Sequence, residues 1–328
     1  MNNISVGVWA YGACSDRYVG DGYKSRLPLA QRIEHIGKLG GVDGIEITYP
    51  VDINEENYPE YAPLLQKYGL RISSMGVEIV CDKEWKTGSF TSPHREVREK
   101  TVALVKKAMD FAAQIGVEVV SLWMGQDGFD YLMQSDYRQQ WEFLIQGLRE
   151  CAAHNPAIKL GMEYKVSEPR LKCMVNSGGM ALAVAQCTGM DNVGVTMDIG
   201  HAINAGENPA EIAAILFSQN RLFHLHLNDN YRIADDDMPI GSVHFLHFVE
   251  LFYWLKKMGY QGWYSLDMYP YRDDADEASR ASVTFIRGVE SLIDRKLGDY
   301  SFETAPSDAP SKILEGLFEK IFEQEGIS

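Results

Sequence analysis

The chain has 328 residues, 45% of them hydrophobic and 23% charged, which is ample material for a sizeable core. Its 31 basic and 46 acidic residues leave a net charge of −15. Such a surface repels phosphate backbones and anionic lipid, so it disfavours nucleic-acid and membrane binding and makes divalent cations the more natural partner. No apolar run approaches the ~20 residues of a bilayer span. The N-terminal MNNISVGVWAYG lacks the layout of a secretory signal, and five scattered cysteines suit a reduced, cytoplasmic protein better than a disulfide or zinc scaffold.

Along the chain, short apolar segments alternate with longer amphipathic ones. ISVGVWA (4–10) reads as the first strand and LAQRIEHIGKLG as the helix after it. GIEIT (44–48), LRISSMGVEIV (70–80) and VEVVSLWM (117–124) follow as strands, with the helix EVREKTVALVKKAMDFAAQIG before the last of these. Then come RQQWEFLIQGLRECAAH, the strand IKLGMEY (158–164), GMALAVAQCTG, the strand NVGVTMD (192–198) and PAEIAAILFSQ. The strand LFHLHLN (222–228), the helix FLHFVELFYWLKKMG and the strand WYSLD (263–267) complete the order, and the segment after Asp273 supplies the eighth helix. Gly40, Gly116, Gly189 and Gly259 stand where helix C-caps are expected. Eight strand–helix units in this order predict an α/β fold, a (β/α)8 barrel, over residues 1–293. Residues 294–328 read as a linker, TAPSDAPS, and a short helix, KILEGLFEKIFEQEG, whose helical apolar spacing suits packing on the barrel or on a second subunit.

Chemistry in such a barrel collects at the C-terminal ends of the strands. Strand five delivers Glu163 and Lys165, two residues apart and so on one side. Asp198 and His201 follow strand six, His224 and His226 sit on one face of strand seven, and Asp267 ends strand eight. Any one of these is ordinarily a loop anchor or helix cap, and Glu163 with Lys165 is ordinarily a surface salt bridge. Four successive strands ending this way call instead for cations to offset the carboxylates. Oxygen-rich ligation with one or two imidazoles suits Mg²⁺, Mn²⁺ or Co²⁺. His226, nearer the strand end, is the better ligand, and His224 is a ligand or a buried layer residue. In IADDDMPIG (233–241), Asp235 and Asp237 either form a solvated loop or both turn towards a second cation, leaving Asp236 outside.

These segments resemble the xylose isomerase-like barrels, and within them the aldose–ketose isomerases. MEYKVSEPR is similar to the Glu-x-Lys-x-x-Glu-Pro segment of xylose and L-rhamnose isomerases. MDIGHAINAGENP, FHLHLND and ADDDMPIGS resemble the next three blocks of bacterial L-rhamnose isomerases in order and spacing, and SLDMYPYR resembles the last metal-ligand strand. VGVWAYG, WKTGSFTSP and SLWMGQDG have weaker counterparts in the N-terminal half, so the resemblance runs over roughly residues 4–290.

The resemblance implies two divalent cations. Glu163, Asp198, His226 and Asp267 match the ligands of one, whose site also orients substrate hydroxyls. His201, Asp235 and Asp237, with Asp198 bridging, match those of the other. Lys165 matches the lysine at the substrate's C1 oxygen, and Trp9 and Trp123 match aromatics that line the sugar pocket, though both read equally as core aromatics. The implied activity is interconversion of an aldose and a ketose by a metal-assisted hydride shift. The histidine that xylose isomerases carry after strand three to open the sugar ring is missing from VEIVCDKEW, so either Asp82, a water or another group takes its place or the substrate differs. The family also implies a homo-oligomer, a dimer or tetramer. Two alternatives share the barrel: a ketose 3-epimerase, and a metal-dependent lyase or C-glycoside-cleaving subunit with a small partner protein. Lys165, the Asp235/Asp237 pair and an aspartate rather than a glutamate at position 267 favour the isomerase.

Overall fold

The structure, a computed structural model, describes residues 1–168, 171–298 and 309–322. Eight parallel strands close into a barrel: β1 (Ile4–Gly7), β2 (Gly44–Tyr49), β3 (Arg71–Val77), β4 (Val119–Trp123), β5 (Lys159–Glu163), β6 (Val193–Asp198), β7 (Leu222–Leu227) and β8 (Tyr264–Leu266). Each strand pairs with its neighbours in sequence, and β8 closes on β1. The helices between them are α1 (Leu29–Gly37), α2 (Tyr58–Tyr68), α3 (Arg95–Ile115), α4 (Tyr137–His154), α5 (Gly178–Thr188), the short α6 (Ile199–Asn204), α7 (Pro209–Ser218) and α8 (Phe245–Met258). α9 (Ala275–Leu292) follows β8, and α10 (Ser311–Phe322) is the C-terminal helix.

Strand alternation sorts the side chains into two environments. Ile45, Ile47, Met75, Val120, Leu122, Leu160, Met162, Val195, Met197, Leu225 and Leu227 are fully buried in the apolar core. The other parity is polar: Glu46, Ser74, Ser121, Thr196, Asp198, His224, His226 and Ser265 are just as deeply buried. Ser121 Oγ donates to Thr196 Oγ1 at 2.9 Å over Gly161 of the intervening β5, where a Cβ would meet Thr196 Oγ1 at 2.3 Å. This interior is therefore built for polar side chains, unlike barrels filled with Val, Ile and Leu.

Local chemistry sets the helix ends. Asp136, Ser177, Asn208 and Asp274 accept N-cap hydrogen bonds from the first turns of α4, α5, α7 and α9. Gly116, Gly189 and Gly259 take the left-handed C-cap conformation, with φ of 79°, 66° and 75°. The C-cap expected at Gly40 is not there. α1 stops at Gly37, the Lys38 N–H closes the last turn on the Glu34 and His35 carbonyls, and Gly41 rather than Gly40 takes positive φ.

β1 and β3 stop three residues short of the ends of their apolar runs. Residues 8–11 leave β1 as a 3-10 turn, and β3 ends at Val77, three residues before the end of its apolar segment. Two-residue strands Gly128–Phe129 and Lys172–Cys173 pair antiparallel and tie together the loops after β4 and β5. α2, α6 and this pair have no counterpart in the expected elements. Pro169 and Arg170 of the MEYKVSEPR segment, most of TAPSDAPS and the end of the final helix lie outside the described residues. α9 runs on through Ile293–Leu297, both ends of which are buried. α10 lays Leu317 against the core, while Leu314, Phe318 and Phe322 are exposed. Among the described residues no helix is long and apolar enough to cross a membrane, and the five cysteines are free thiols.

Candidate active site

The registers of β4 to β8 place Trp123 beside Glu163, Glu163 beside Thr196 and Asp198 beside His226. Glu163, Asp198, His226 and Asp267 each offer a ligand atom, and these atoms all lie within 4.8 Å of one another. His226 Nδ1 stands 3.3 Å from Glu163 Oε2, 3.2 Å from Asp267 Oδ2 and 4.0 Å from Asp198 Oδ2. Asp198 caps α6: its Oδ1 accepts from the His201 N–H at 2.8 Å and its Oδ2 from Asn228 Nδ2 at 2.7 Å. A Cβ on Gly200 would meet Asn228 Oδ1 at 2.0 Å, so glycine there lets Asn228 reach the carboxylate. Trp9, on the turn after β1, donates Nε1 to Asp267 Oδ1 at 2.6 Å. Its indole lies where a Cβ on Gly7 would sit, 2.3 Å away, so glycine at 7 permits the contact.

His201 extends the cluster. Its Nε2 is 3.1 Å from Asp235 Oδ2 and its Nδ1 3.4 Å from Glu163 Oε1. The loop carrying Asp235 and Asp237 is closed at its base by paired backbone hydrogen bonds between Asp229 and Met238. The buried Asp229 carboxylate holds that base by accepting from the Val243 and His244 N–H groups and pairing with His244 Nδ1 at 2.7 Å. Asp237 has a φ of 45°, a conformation aspartate tolerates. Asp236 turns back to accept from the Tyr231 N–H.

So many buried carboxylates perturb one another. Burial pushes the Asp198 carboxyl up to about 7, with Glu163, Asp235 and Asp267 adding to the rise and His201 opposing it. Burial would lower His201, but Asp198, Asp235 and Glu163 carry it up to about 10. Burial also acts to raise Glu163, yet His226 and His201 hold it below the ordinary range. Asp237 is raised well above that range, first by burial and then by Asp235, Asp267 and Asp198. Carboxylates this close persist only when protons or cations offset them.

Three features fit a divalent cation at the first set: convergent ligand atoms, a donor set of three carboxylates and one imidazole, and a buried His226 Nδ1 with no hydrogen-bond partner. The second set is not gathered in the same way. His201, Asp235 and Asp237 do not bring three ligand atoms within 4.8 Å of one another. Asp235 is instead neutralised by protein cations, His201 and Lys165, the latter with Nζ 2.8 Å from Asp235 Oδ2.

Lys165 lies beside Glu163 at the mouth and is 8% exposed. It pairs with Glu168 and Asp235 and not with Glu163, so the salt bridge between Glu163 and Lys165 does not form. Burial would lower its ammonium, but Asp235 and Glu168 more than reverse this and keep it charged. Nζ sits 5.1 Å from the Trp123 ring centroid, a cation–π contact. Trp9, Trp123, Lys165, Asp235 and Asp237 all line one cavity of about 740 Å³ at the barrel mouth.

Asp82 is the exception among the site residues expected from sequence. Because β3 ends early, the chain has turned away by position 82. Asp82 is exposed there, and its carboxylate caps a 3-10 turn by accepting from the Glu84 N–H at 3.0 Å. It is not a wall of the cavity; Glu78 and Cys81 are. His224 is a buried layer residue whose Nε2 lies 3.0 Å from Glu46 Oε2. Glu46, Asn228 and Glu168 all contact site residues without having been singled out from sequence. The Glu-x-Lys-x-x-Glu-Pro pattern contained Glu168 but gave it no role. Glu46 carried only its parity in β2 as a signal.

A family model described as the xylose isomerase-like TIM barrel matches residues 34–289. A xylose isomerase from Thermus thermophilus is 25% identical over 300 residues, covering 88% of this chain and 77% of its own. Among solved structures, an L-ribulose 3-epimerase aligns with a TM-score of 0.72 at 16% identity, covering 93% of this chain and all of its own. A D-tagatose 3-epimerase-like protein aligns at 0.68 and 21%, covering 90% and 99%. At these identities the two structures speak to the fold.

Proposed function

The chain belongs to the xylose isomerase-like TIM barrel family, and from that premise we propose that it is a divalent-metal-dependent sugar isomerase interconverting an aldose and its ketose. The observation that carries this reading is the convergence of Glu163, Asp198, His226 and Asp267 beside a buried, charged Lys165 at the barrel mouth. Those four residues would hold one cation, and His201, Asp235 and Asp237 are the side chains available to a second once Lys165 turns to substrate. Bound there, a divalent cation acts as a Lewis acid on sugar carbonyl and hydroxyl oxygens and offsets negative charge developing on them.

The reaction needs no external oxidant. The hydrogen on C2 of the aldose moves with its electron pair to C1, and the O2 proton passes to O1. The chain's part is to position and to stabilise. The Lys165 ammonium supplies positive charge where the C1 carbonyl oxygen becomes an alkoxide. Glu168, already in contact with Lys165, is the side chain available to accept and return the hydroxyl proton. Trp9 and Trp123 line the cavity and offer flat faces to sugar C–H surfaces.

The test is a panel of free aldoses and ketoses with Mn²⁺, followed by NMR in D2O. Aldose–ketose conversion without deuterium uptake at C1 or C2 is the expected result. C3 epimers carrying deuterium would replace this reading with a ketose 3-epimerase, for which Glu163 and Asp267 are the candidate bases.

A further inference from the structure

Glu46 has no part in the chemistry above, yet it is 1% exposed and sits one layer below the ligand cluster. Three donors converge on its carboxylate from the far side of the barrel. His226 Nε2 lies 3.0 Å from Oε1, His224 Nε2 lies 3.0 Å from Oε2, and Ser265 Oγ donates to Oε2 at 2.6 Å. Three contacts closing on two oxygens suit an ionised carboxylate, whose charged form such hydrogen bonds favour. An ionised carboxylate only accepts, so the hydrogens of both contacts reside on the Nε2 atoms. The two imidazoles stand nearly perpendicular, at 88° and 5.4 Å between centroids, each braced by its own oxygen.

We propose that Glu46 is a positioning residue that fixes His226 as the Nε2–H tautomer, so that its bare Nδ1 is presented to the space shared by Glu163, Asp198 and Asp267. At the other end of the ring Nδ1 is buried, makes no hydrogen bond and faces Glu163 and Asp267 at 3.3 and 3.2 Å. A carboxylate behind a ligating imidazole sets its tautomer and orientation and raises its basicity, and loss of such a partner costs about 10–100-fold in metal affinity. The inference rests on the reading of the four-residue cluster as a cation site. The contacts around Glu46 close by hydrogen bonding alone, so the triad of Glu46, His224 and His226 requires no ion of its own.

Glu46→Gln is close to isosteric but presents one donor and one acceptor to two imidazole N–H groups, so one ring must flip its tautomer or lose its bond. Mn²⁺ is titrated calorimetrically into the metal-free wild type, Glu46→Gln and Ser265→Ala, with the melting temperature of each metal-free protein measured alongside. The expected result is a loss of about 10–100-fold for Glu46→Gln and a few-fold for Ser265→Ala. If the wild type binds Mn²⁺ and Glu46→Gln binds within twofold of it, the positioning role is overturned and the cation site stands. If the wild type binds no Mn²⁺, the cation reading itself falls. Should Glu46→Gln fail to fold, long-range ¹H–¹⁵N spectra of the Mg²⁺-loaded wild type decide the matter. A proton on His226 Nε2 supports the proposal, and one on Nδ1 overturns it.

Discussion

β5 to β8 and β1 to β4 divide the barrel into halves of different character. The ends of the later four carry Glu163, Asp198, His226 and Asp267, whose ligand atoms lie within 4.8 Å of one another. The earlier four contribute Trp9, Trp123 and Glu46 to the cavity lining, with no ligand in that cluster. One half concentrates negative charge, and the other supplies the aromatic surface and the hydrogen bonds that hold it in place. Substitutions in the two halves should therefore fail differently: the later half by losing the cation, the earlier by losing the substrate's grip or the orientation of a ligand.

The largest effects are expected from the ligands themselves. Glu163→Gln and Asp198→Asn each remove a charged donor from the cluster, and Mn²⁺ titration should show affinity falling by more than the ~10–100-fold typical of supporting residues. Near wild-type affinity in either variant would dissolve the contrast between the halves. Lys165→Met tests the same side of the barrel by a different readout. Removing one preorganised positive group at a developing oxyanion should lower kcat by about 10²–10³, with Mn²⁺ affinity changed little. Turnover at the wild-type rate would leave Lys165 as a structural partner of Asp235 and Glu168.

Trp9→Phe sharpens the comparison from the earlier half. It deletes the donor 2.6 Å from Asp267 Oδ1 and keeps most of the aromatic face. A hydrogen bond to a charged group is worth about 1.5–3 kcal/mol. Part of that should appear as a drop of about tenfold in kcat/KM, with Mn²⁺ binding weakened less than by loss of a ligand.

The halves also differ in how much the sequence discloses. In the later half, the ligands are the last or next-to-last residues of strands or directly follow them, and two-residue alternation fixes which side they take. MDIGH, FHLHLND and SLD therefore reveal both the barrel and the cluster. In the earlier half, Glu46 in GIEIT looks like the polar parity of a half-exposed strand. Only closure of the barrel turns that parity inward, and its partners His224, His226 and Ser265 are 178 or more residues away. The second ligand set was legible as residues but not as an arrangement, because whether Asp235 faces a cation or Lys165 depends on how a loop folds back.

Asp82 shows the limit of reading function from position along a strand. Its placement at the site assumed that β3 runs to the end of its apolar segment, but the strand ends at Val77 and the chain then turns outward. Val80 is buried without being in a strand, so hydrophobicity alone overestimates the strand's length. Asp82→Ala should accordingly leave kcat and KM unchanged. Its cost is that of an exposed cap, about 0.5–2 kcal/mol at most and smaller for a single 3-10 turn, read as a slight fall in melting temperature. A tenfold loss of activity with that melting temperature intact would return Asp82 to the sugar, and the earlier half of the barrel would then carry chemistry as well as support.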